Sequence, residues 1–418
     1  MNRVYLFPII ISAILLLIDI YVYQGFKVLI SHQSSSTQKI LKIIFWLITL
    51  TSLVLVWFSG GRTDGKHKNL PIIARSFFMV QYVPKFFSLF FLLVDDIIRL
   101  GKWVYRYFAK PAQEIVEKTG GIPRSEFLMT AGAVTAATLI GGFSYGIAKG
   151  AHNYTIRRRK ISLKNLPKAF HGLKIVQLSD IHSGSFWNKR AVIGGVEMAM
   201  NEKPDLILFT GDLVNDVATE MRDYKPVFEK LKAPLGVYSV LGNHDYGDYV
   251  AWNDLNAKQN NLNNLKKVQA DMGWQLLLNQ TATLKVDNEV LDIVGIENWS
   301  NKGRFPKYGD LALALKNTEP EVAKILLSHD PSHWRAQVLK DYPQIGLMLA
   351  GHTHGMQFGV EIPGFKWSPI KYMYPEWADL YTEGDQHLYV NRGFGYLGFP
   401  GRVGITPEIT VIELESIA

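Results

Sequence analysis

The chain carries two kinds of hydrophobic pattern. Up to about residue 150 the apolar residues run in long blocks; beyond residue 161 they come in short runs between amphipathic stretches. A helix needs ~20 apolar residues to cross a hydrocarbon core of about 30 Å. Residues 4–23 and 40–58, a stretch within 72–98 and residues 127–148 are blocks of that kind. Pro84 and Lys85 interrupt the third, whose most apolar part is 86–94. Asp19 lies in the first; a carboxylate there must reach the interface or face other helices. One such block reads equally as a buried helix of a soluble protein. Four in series with no polar face do not. Residues 31–39 and 60–69 are polar loops, and 99–124 form a basic, partly helical connector. Arg157-Arg158-Arg159-Lys160 reads as a basic juxtamembrane linker in contact with lipid headgroups. The expected organisation is a transmembrane region over 1–150, a linker over 151–160 and a separate domain over 161–418.

In that last part the period changes. Residues 173–178, 206–210, 236–241, 291–296, 323–327, 345–350, 387–391 and 409–414 read as strands. Residues 189–200, 223–232, 255–272 and 331–340 read as helices. This is α/β patterning with β-rich later stretches. No internal repeat or low-complexity segment interrupts it.

Composition narrows the chemistry. The net charge of +8 needs no nucleic-acid partner, because the basic residues crowd beside apolar blocks, where anionic lipid would attract them. The chain has no cysteine, so disulfides and thiolate ligands are excluded and any metal must use nitrogen and oxygen.

Five strand ends carry ligand-type residues: Asp180-Ile181-His182, Gly211-Asp212, Gly242-Asn243-His244-Asp245, His329-Asp330 and Gly351-His352-Thr353-His354-Gly355. In an open α/β sheet the loops beyond the carboxyl ends of the strands converge on one edge. Asp180 and His182, two apart on extended backbone, project to one side. Each residue alone has a plain structural reading: Asp180 as a helix cap, Asp212 as a turn, His329 as a satisfied buried histidine. Asp330 before Pro331 reads as a helix N-cap. His152, His171, His333 and His387 fall outside the pattern, and the basic stretch 302–307 reads as a solvated loop. Together, Asp180, His182, Asp212, Asn243, His329, His352 and His354 form an imidazole and oxygen set suited to Mn, Fe, Zn or Co. Seven groups exceed one tetrahedral ion and suit two divalent ions sharing a carboxylate. Such a pair is the usual clamp for in-line displacement at phosphorus.

These motifs, in this order over residues 173–414, resemble the calcineurin-like metallophosphoesterase family, in particular its membrane-associated bacterial branch. The run from Val237 to Gly247 and the ending Pro407-Glu408-Ile409-Thr410 carry the closer likeness. The resemblance implies a four-layer α/β/β/α sandwich behind the transmembrane helices. It implies that Asp180, His182 and His354 hold one metal, that Asn243, His329 and His352 hold the other, and that Asp212 bridges them. His244 would protonate the leaving group, with Asp245 orienting it. Met356 departs from the pattern, where a second glycine is expected after Gly355.

The function implied is hydrolysis of a phosphoester or pyrophosphate, with a hydroxide shared by two cations as nucleophile. The competing readings are a non-catalytic metal-binding scaffold at the membrane, which the intact motif set argues against, and a transporter with a regulatory domain. The aromatic and basic stretch with Phe365, Lys366, Trp367, Lys371, Tyr372, Tyr374, Trp377 and Tyr381 reads either as cover for the domain's own core or as a membrane-facing loop. So does the apolar loop with Phe394, Tyr396, Leu397, Phe399 and Pro400. On the membrane-facing reading, a phospholipid or lipid-linked phosphate or pyrophosphate would be the substrate. Residues 124–128, Arg-Ser-Glu-Phe-Leu, resemble a worn twin-arginine export signal lacking its second arginine. The expected location is the bacterial inner membrane with the catalytic domain outside.

Overall fold

The computed structural model describes residues 3–59, 69–108 and 124–417. It divides into two units, Met1–Ile147 and Ala148–Ala418.

The first unit is helical. Helices α1 (Arg3–Leu29), α2 (Ser35–Ser59), α3 (Asn69–Phe108) and α4 (Arg124–Ala148) contain four candidate spans: Pro8–Leu29, Ser35–Trp57, Ile72–Phe108 and Glu126–His152. Pro84 does not end α3. Ser88, one turn on, donates its hydroxyl to Pro84 O and to Gly132 O of α4. Asp19 faces other helices rather than the interface: it is fully buried, 2.6 Å from Lys85 Nζ, and accepts from Tyr82 OH at 3.0 Å. The loop 60–68 and residues 109–123 of the basic connector lie outside the described residues.

The second unit is built on two six-stranded sheets. The strands are β1 (Thr155–Leu163), β2 (Lys174–Leu178), β3 (Leu206–Phe209), β4 (Val237–Ser239), β5 (Gln275–Leu276), β6 (Gln280–Val286) and β7 (Glu289–Gly295). They continue as β8 (Lys324–Leu327), β9 (Leu347–Ala350), β10 (Val360–Ile362), β11 (Phe365–Trp367), β12 (Asp379–Glu383), β13 (Gln386–Val390) and β14 (Glu408–Ser416). The first sheet runs β1-β14-β2-β3-β4-β5 and the second β12-β13-β9-β8-β7-β6, with β10-β11 a separate hairpin. Central strands β2, β3, β4, β8 and β9 are buried on both faces, which is why each reads as a continuous apolar run rather than an alternation.

One core lies between the sheets, with Ile175, Leu208 and Ile412 facing Ile293, Ile325 and Leu349. A second covers the outer face of the first sheet with α5 (Lys189–Asn201), α6 (Lys225–Phe228) and α7 (Leu255–Asp271), through Val192, Phe228 and Leu265. A third covers the other sheet with Leu311 of α8 (Leu311–Leu315) and with Trp334 and Val338. The architecture is therefore the four-layer α/β/β/α sandwich, preceded by four membrane-length helices.

The basic run expected as a linker is part of the sheet. Residues 157–160 lie in β1, paired in parallel with β14. Acidic partners far along the chain make this possible. Arg157 meets Glu361 at 2.7 Å, Arg158 meets Glu202 at 2.6 Å, Arg159 meets Asp379 at 2.7 Å and Lys160 meets Glu415 at 2.9 Å. A local reading of four consecutive cations cannot see partners at such separations.

Candidate metal centre

The site lies beyond the carboxyl ends of β2, β3, β4, β8 and β9. The loops after β2 and β3 are laced together: Asp180 N donates to Gly211 O at 2.9 Å and His182 N to Asp212 O at 3.1 Å. Gly351 and Gly242 let backbones close in, since a Cβ at Gly351 would overlap Ser179 and Asp180, and one at Gly242 would overlap Asp212. Backbone strain concentrates here. Asp180, His182, Asp212, His352 and His354 have φ of +51°, +48°, +60°, +69° and +51°. An L-residue pays about 1–2 kcal/mol for that region, and such outliers cluster at functional sites.

The structure brings six of the seven expected ligands into two triads, and Asn243 lines the same cavity as Asp212, His352 and His354. Ligand atoms of Asp180, His182 and His354 lie within 4.8 Å of one another, as do those of Asp212, His329 and His352. In the first triad His354 Nε2 is 3.0 Å from His182 Nε2 and 3.2 Å from Asp180 Oδ1. In the second His352 Nδ1 is 3.2 Å from His329 Nε2. Asp212 Oδ2 touches both triads, 3.5 Å from His182 Nε2 and 3.1 Å from His329 Nε2.

The ring orientations follow from their outer hydrogen bonds. His329 Nδ1–H donates to Thr210 O at 2.7 Å, so its Nε2 lone pair points inward. Tyr374 OH donates to Asp330 Oδ2 at 3.2 Å, and His352 Nε2–H donates to the tyrosine oxygen at 3.0 Å. His352 Nδ1 therefore faces His329 Nε2. Two ring nitrogens and a carboxylate converging in a buried site suit a shared positive charge, a proton or a metal ion. Asn243 Nδ2 donates to Tyr249 OH at 2.8 Å, leaving its buried Oδ1 without a partner, and the buried His182 Nδ1 also has none. The donor set contains no thiolate and fits a borderline divalent ion.

The electrostatics agree. Burial opposes ionisation of Asp212, yet His329 and His244 beside it hold its carboxyl well below the usual range. Asp180 is likewise held low against burial by His354. Burial pushes His329 down, but Asp212 outweighs it and drives the imidazole up to about 10. Burial holds the His182 imidazole well below its ordinary value and also lowers that of His352.

His244 stands beside the triads rather than in them. Its Nδ1–H donates to Asn215 O at 2.8 Å, and its ring lies 5.0 Å from that of His182 and 4.4 Å from that of Tyr249. Asp245 does not orient it. The buried Asp245 carboxylate instead accepts from the backbone N–H of Gly242, Asp212, Leu213 and Val214, tying the β3 and β4 loops together. The physical reason is direction: the carboxylate turns inward under the loops, and a backbone carbonyl takes the histidine. Asp330, expected as a helix N-cap, accepts from Ser332 N at 2.8 Å in the turn that follows it and also anchors Tyr374.

A cavity of about 380 Å³ opens over Asp212, Asn243, His244, His352 and His354. Tyr249, Arg304, Phe305, Ile370, Tyr374 and Leu397 complete its wall. Arg304 thus belongs to the site, although its stretch read as a solvated loop. Phe305 packs edge-on to His352 at 4.8 Å. The aromatic residues divide. Tyr374, Trp377, Phe394, Tyr396 and Phe399 are buried in the domain's own packing. Ile362, Phe365, Tyr372 and Met373, on the β10–β11 hairpin and the turn after it, are exposed. Tyr249 and Tyr374 were not legible as site residues, because each acts through a partner brought close only by the fold.

This fold and this cluster define a metal-dependent phosphoester hydrolase, and the chain belongs to the calcineurin-like metallophosphoesterase family, as a membrane protein with that family's transmembrane region. The calcineurin-like phosphoesterase profile matches residues 173–356, and the transmembrane-domain profile of such phosphoesterases matches residues 2–151. The chain is similar to the metallophosphoesterase YkuE of Bacillus subtilis, 32% identical over 68% of this chain and 94% of that protein. It is similar to the transmembrane protein with metallophosphoesterase domain of Danio rerio, 31% identical over 78% of this chain and 70% of that protein. The UDP-2,3-diacylglucosamine pyrophosphatase LpxG of Chlamydia trachomatis is 31% identical over 55% of this chain and 81% of its own length.

Proposed function

We propose that the chain hydrolyses a phosphoester or pyrophosphate of an amphiphile at a two-metal centre. The observation that carries this is Asp212 Oδ2, which touches both triads. Asp180, His182 and His354 would hold one ion, Asn243, His329 and His352 the other, and Asp212 both. Two divalent ions of the Mn, Fe, Zn or Co kind would supply an acidified water and positive charge against the phosphoryl oxygens. The residues do the rest. Asn215 O fixes the His244 tautomer, leaving Nε2 to deliver a proton to the departing oxygen. Arg304 offers a guanidinium to phosphate oxygens at the cavity wall. Phe305, Ile370 and Leu397 exclude water from the reacting groups.

An amphiphilic substrate is supported by that apolar wall and by the exposed hairpin, where Ile362, Phe365 and Tyr372 are 57%, 54% and 75% exposed beside Lys371. LpxG, by its name, acts on a diacylated nucleotide sugar pyrophosphate. We place the chain beyond α4 outside the bacterial inner membrane. The export-like segment 124–128 at the start of α4 supports this side; Lys and Arg flank the spans on both sides of the membrane.

The test is turnover of p-nitrophenyl phosphate and its bis ester with added Mn²⁺. Asp212→Ala and His352→Ala are expected to abolish it, and activity surviving both would remove the mechanism. Replacing Ile362, Phe365 and Tyr372 by Ser is expected to lower turnover of phospholipid in mixed micelles while sparing the small ester; an equal effect on both would remove the amphiphile. Protease added to intact spheroplasts is expected to digest the domain, and full protection would reverse its side.

A further inference from the structure

The loop after β3 is shaped by side chains rather than by strand pairing. Seven consecutive backbone N–H groups, from Asp212 to Ala218, meet side-chain oxygens. Asp245 accepts the first three, from Asp212 at 2.9 Å, Leu213 at 2.8 Å and Val214 at 3.2 Å. Glu220 accepts the next three, from Asn215 at 2.6 Å, Asp216 at 3.2 Å and Val217 at 3.1 Å. Asn261 Oδ1 accepts the last at 2.8 Å, and its amide donates to Asp216 O at 3.1 Å. Backbone donors away from water must find acceptors, so these three side chains decide the loop's path.

The two carboxylates divide it. Asp245 holds the half that carries Asp212. Glu220 holds the half whose Asn215 carbonyl takes the His244 Nδ1–H at 2.8 Å. That carbonyl and the Asp216 N–H belong to one planar peptide and point to opposite edges of it. Glu220 Oε1 holds the N–H edge, and Oε2 holds the N–H of Asn215 on the other side of its Cα, so the direction of the carbonyl is fixed from both sides. The loop after β2 closes over the same carboxylate. Ser185 Oγ–H donates to Asn215 Oδ1 at 3.1 Å, and a Cβ at Gly184 would overlap Glu220 Oε2. A plain helix cap would ask less. Glu220 is the third residue of the 3-10 turn Ala218–Asp223, where a cap needs only the N–H of Val217. Its bonds to Asn215 and Asp216 reach beyond the cap to the peptide that faces the histidine.

We infer that Glu220 is a positioning residue for proton delivery. It holds the 215–216 peptide, and that peptide holds the His244 ring. As the P–O bond breaks, the departing oxygen keeps the bonding pair and takes the proton from His244 Nε2. The inference rests on the reading of His244 as the proton donor. Loss of Glu220 must then matter in proportion to the leaving group's need for a proton. A phenolate as basic as a tyrosine side chain, with a pKa of about 10, needs one; p-nitrophenolate, whose charge spreads into the nitro group, needs it far less.

The experiment compares phenyl and p-nitrophenyl esters of one type, with added Mn²⁺, on the full-length chain and on Glu220→Gln, His244→Asn and the double variant. Glutamine keeps the shape but puts an NH₂ where one carboxylate oxygen accepted. Glu220→Gln is expected to lower kcat for the phenyl ester about ten-fold or more beyond its effect on the p-nitrophenyl ester. The double variant is expected to lose no more than His244→Asn alone. A side chain that only supports the fold would lower both esters equally and multiply with His244→Asn. In the metal-free chain, amide hydrogen exchange at residues 215–217 is expected to quicken in Glu220→Gln. If Glu220→Gln does not fold, Glu220→Asp, which keeps the charge but shortens the reach, decides on the same esters. Equal losses on both esters beside a selective loss in His244→Asn, or unchanged exchange at 215–217, would overturn the role of Glu220 alone. Equal losses in His244→Asn would overturn the proton donor and this inference with it.

Discussion

Two charged clusters sit in the same sandwich, one centred on the buried pair Arg392 and Glu408 and one buried at the strand ends, and they are balanced in opposite ways. Around β1 and β14, Arg157, Arg159 and Arg392 face Glu361, Asp379 and Glu408. Arg392 reaches Glu408 at 2.6 Å and Glu361 at 2.8 Å, and Tyr389 OH adds a bond to Glu408 at 2.6 Å. Three cations answer three carboxylates, so the cluster is complete as it stands. At the strand ends, Asp180 and Asp212 face histidines whose lone pairs are turned inward by Thr210 O and Tyr374. That cluster is complete only with added positive charge. Burial alone marks neither as functional; what distinguishes them is whether the charges close without a ligand.

The difference can be broken from either side. Arg392→Leu leaves Glu408 and Glu361 under-compensated in a buried site, and should cost about 3–5 kcal/mol of stability, read by denaturant unfolding. Asp212→Asn should lower turnover by on the order of 10³-fold or more, because it removes the carboxylate that lies against His182 and His329. Retained turnover in Asp212→Asn, or unchanged stability in Arg392→Leu, would erase the distinction.

Removing a partner rather than a ligand gives a smaller effect. Tyr249→Phe frees the Asn243 amide to rotate its oxygen away. Metal affinity is expected to fall about 10–100-fold, the usual cost of losing an outer-shell partner, with the fold unchanged by circular dichroism.

His333 is the internal control for a histidine that needs no metal. Ser328 Oγ–H donates to its Nδ1 at 3.0 Å, and its Nε2–H donates to Gln337 Oε1 at 3.0 Å. Burial pushes its pKa down to about 4. The unfolded chain takes up this proton near pH 6.5 and the folded chain refuses it. Stability from this group is therefore whole above pH 6.5 and lost progressively toward pH 4. His333→Gln should flatten the slope of stability against pH in that window; an unchanged slope would assign it elsewhere.

The smallest effect is expected at Met356, which holds φ +55° on an exposed turn. Glycine there removes the left-handed penalty but adds freedom to the unfolded chain, so Met356→Gly should stabilise by no more than about 1 kcal/mol. A loss of stability would mean that the side chain packs usefully.

The residues that make these contrasts were unevenly visible in the sequence. Leu206 to Phe209 and Leu347 to Ala350 announced themselves because strands buried on both faces must be apolar throughout, and ligands directly after such runs fall on one edge. β1 was hidden because its four cations are neutralised by residues far away in sequence. β10, β11 and β12 were hidden because short, half-exposed strands carry little period. Trp377 and Phe394 read two ways, as membrane-facing or as cover for the core, because a ring alone suits both; burial against the sandwich selects the core. Asp245 was read by its place beside His244, whereas its direction decides its contacts.

The central claim is that two triads share Asp212 and so hold two ions. Metal content per chain, measured on the purified full-length protein after dialysis against limiting Mn²⁺, tests it most directly. Two equivalents are expected in the wild type and one in either His182→Ala or His352→Ala. A wild-type protein that turns over substrate with a single equivalent, or single variants that retain both ions, would contradict the account.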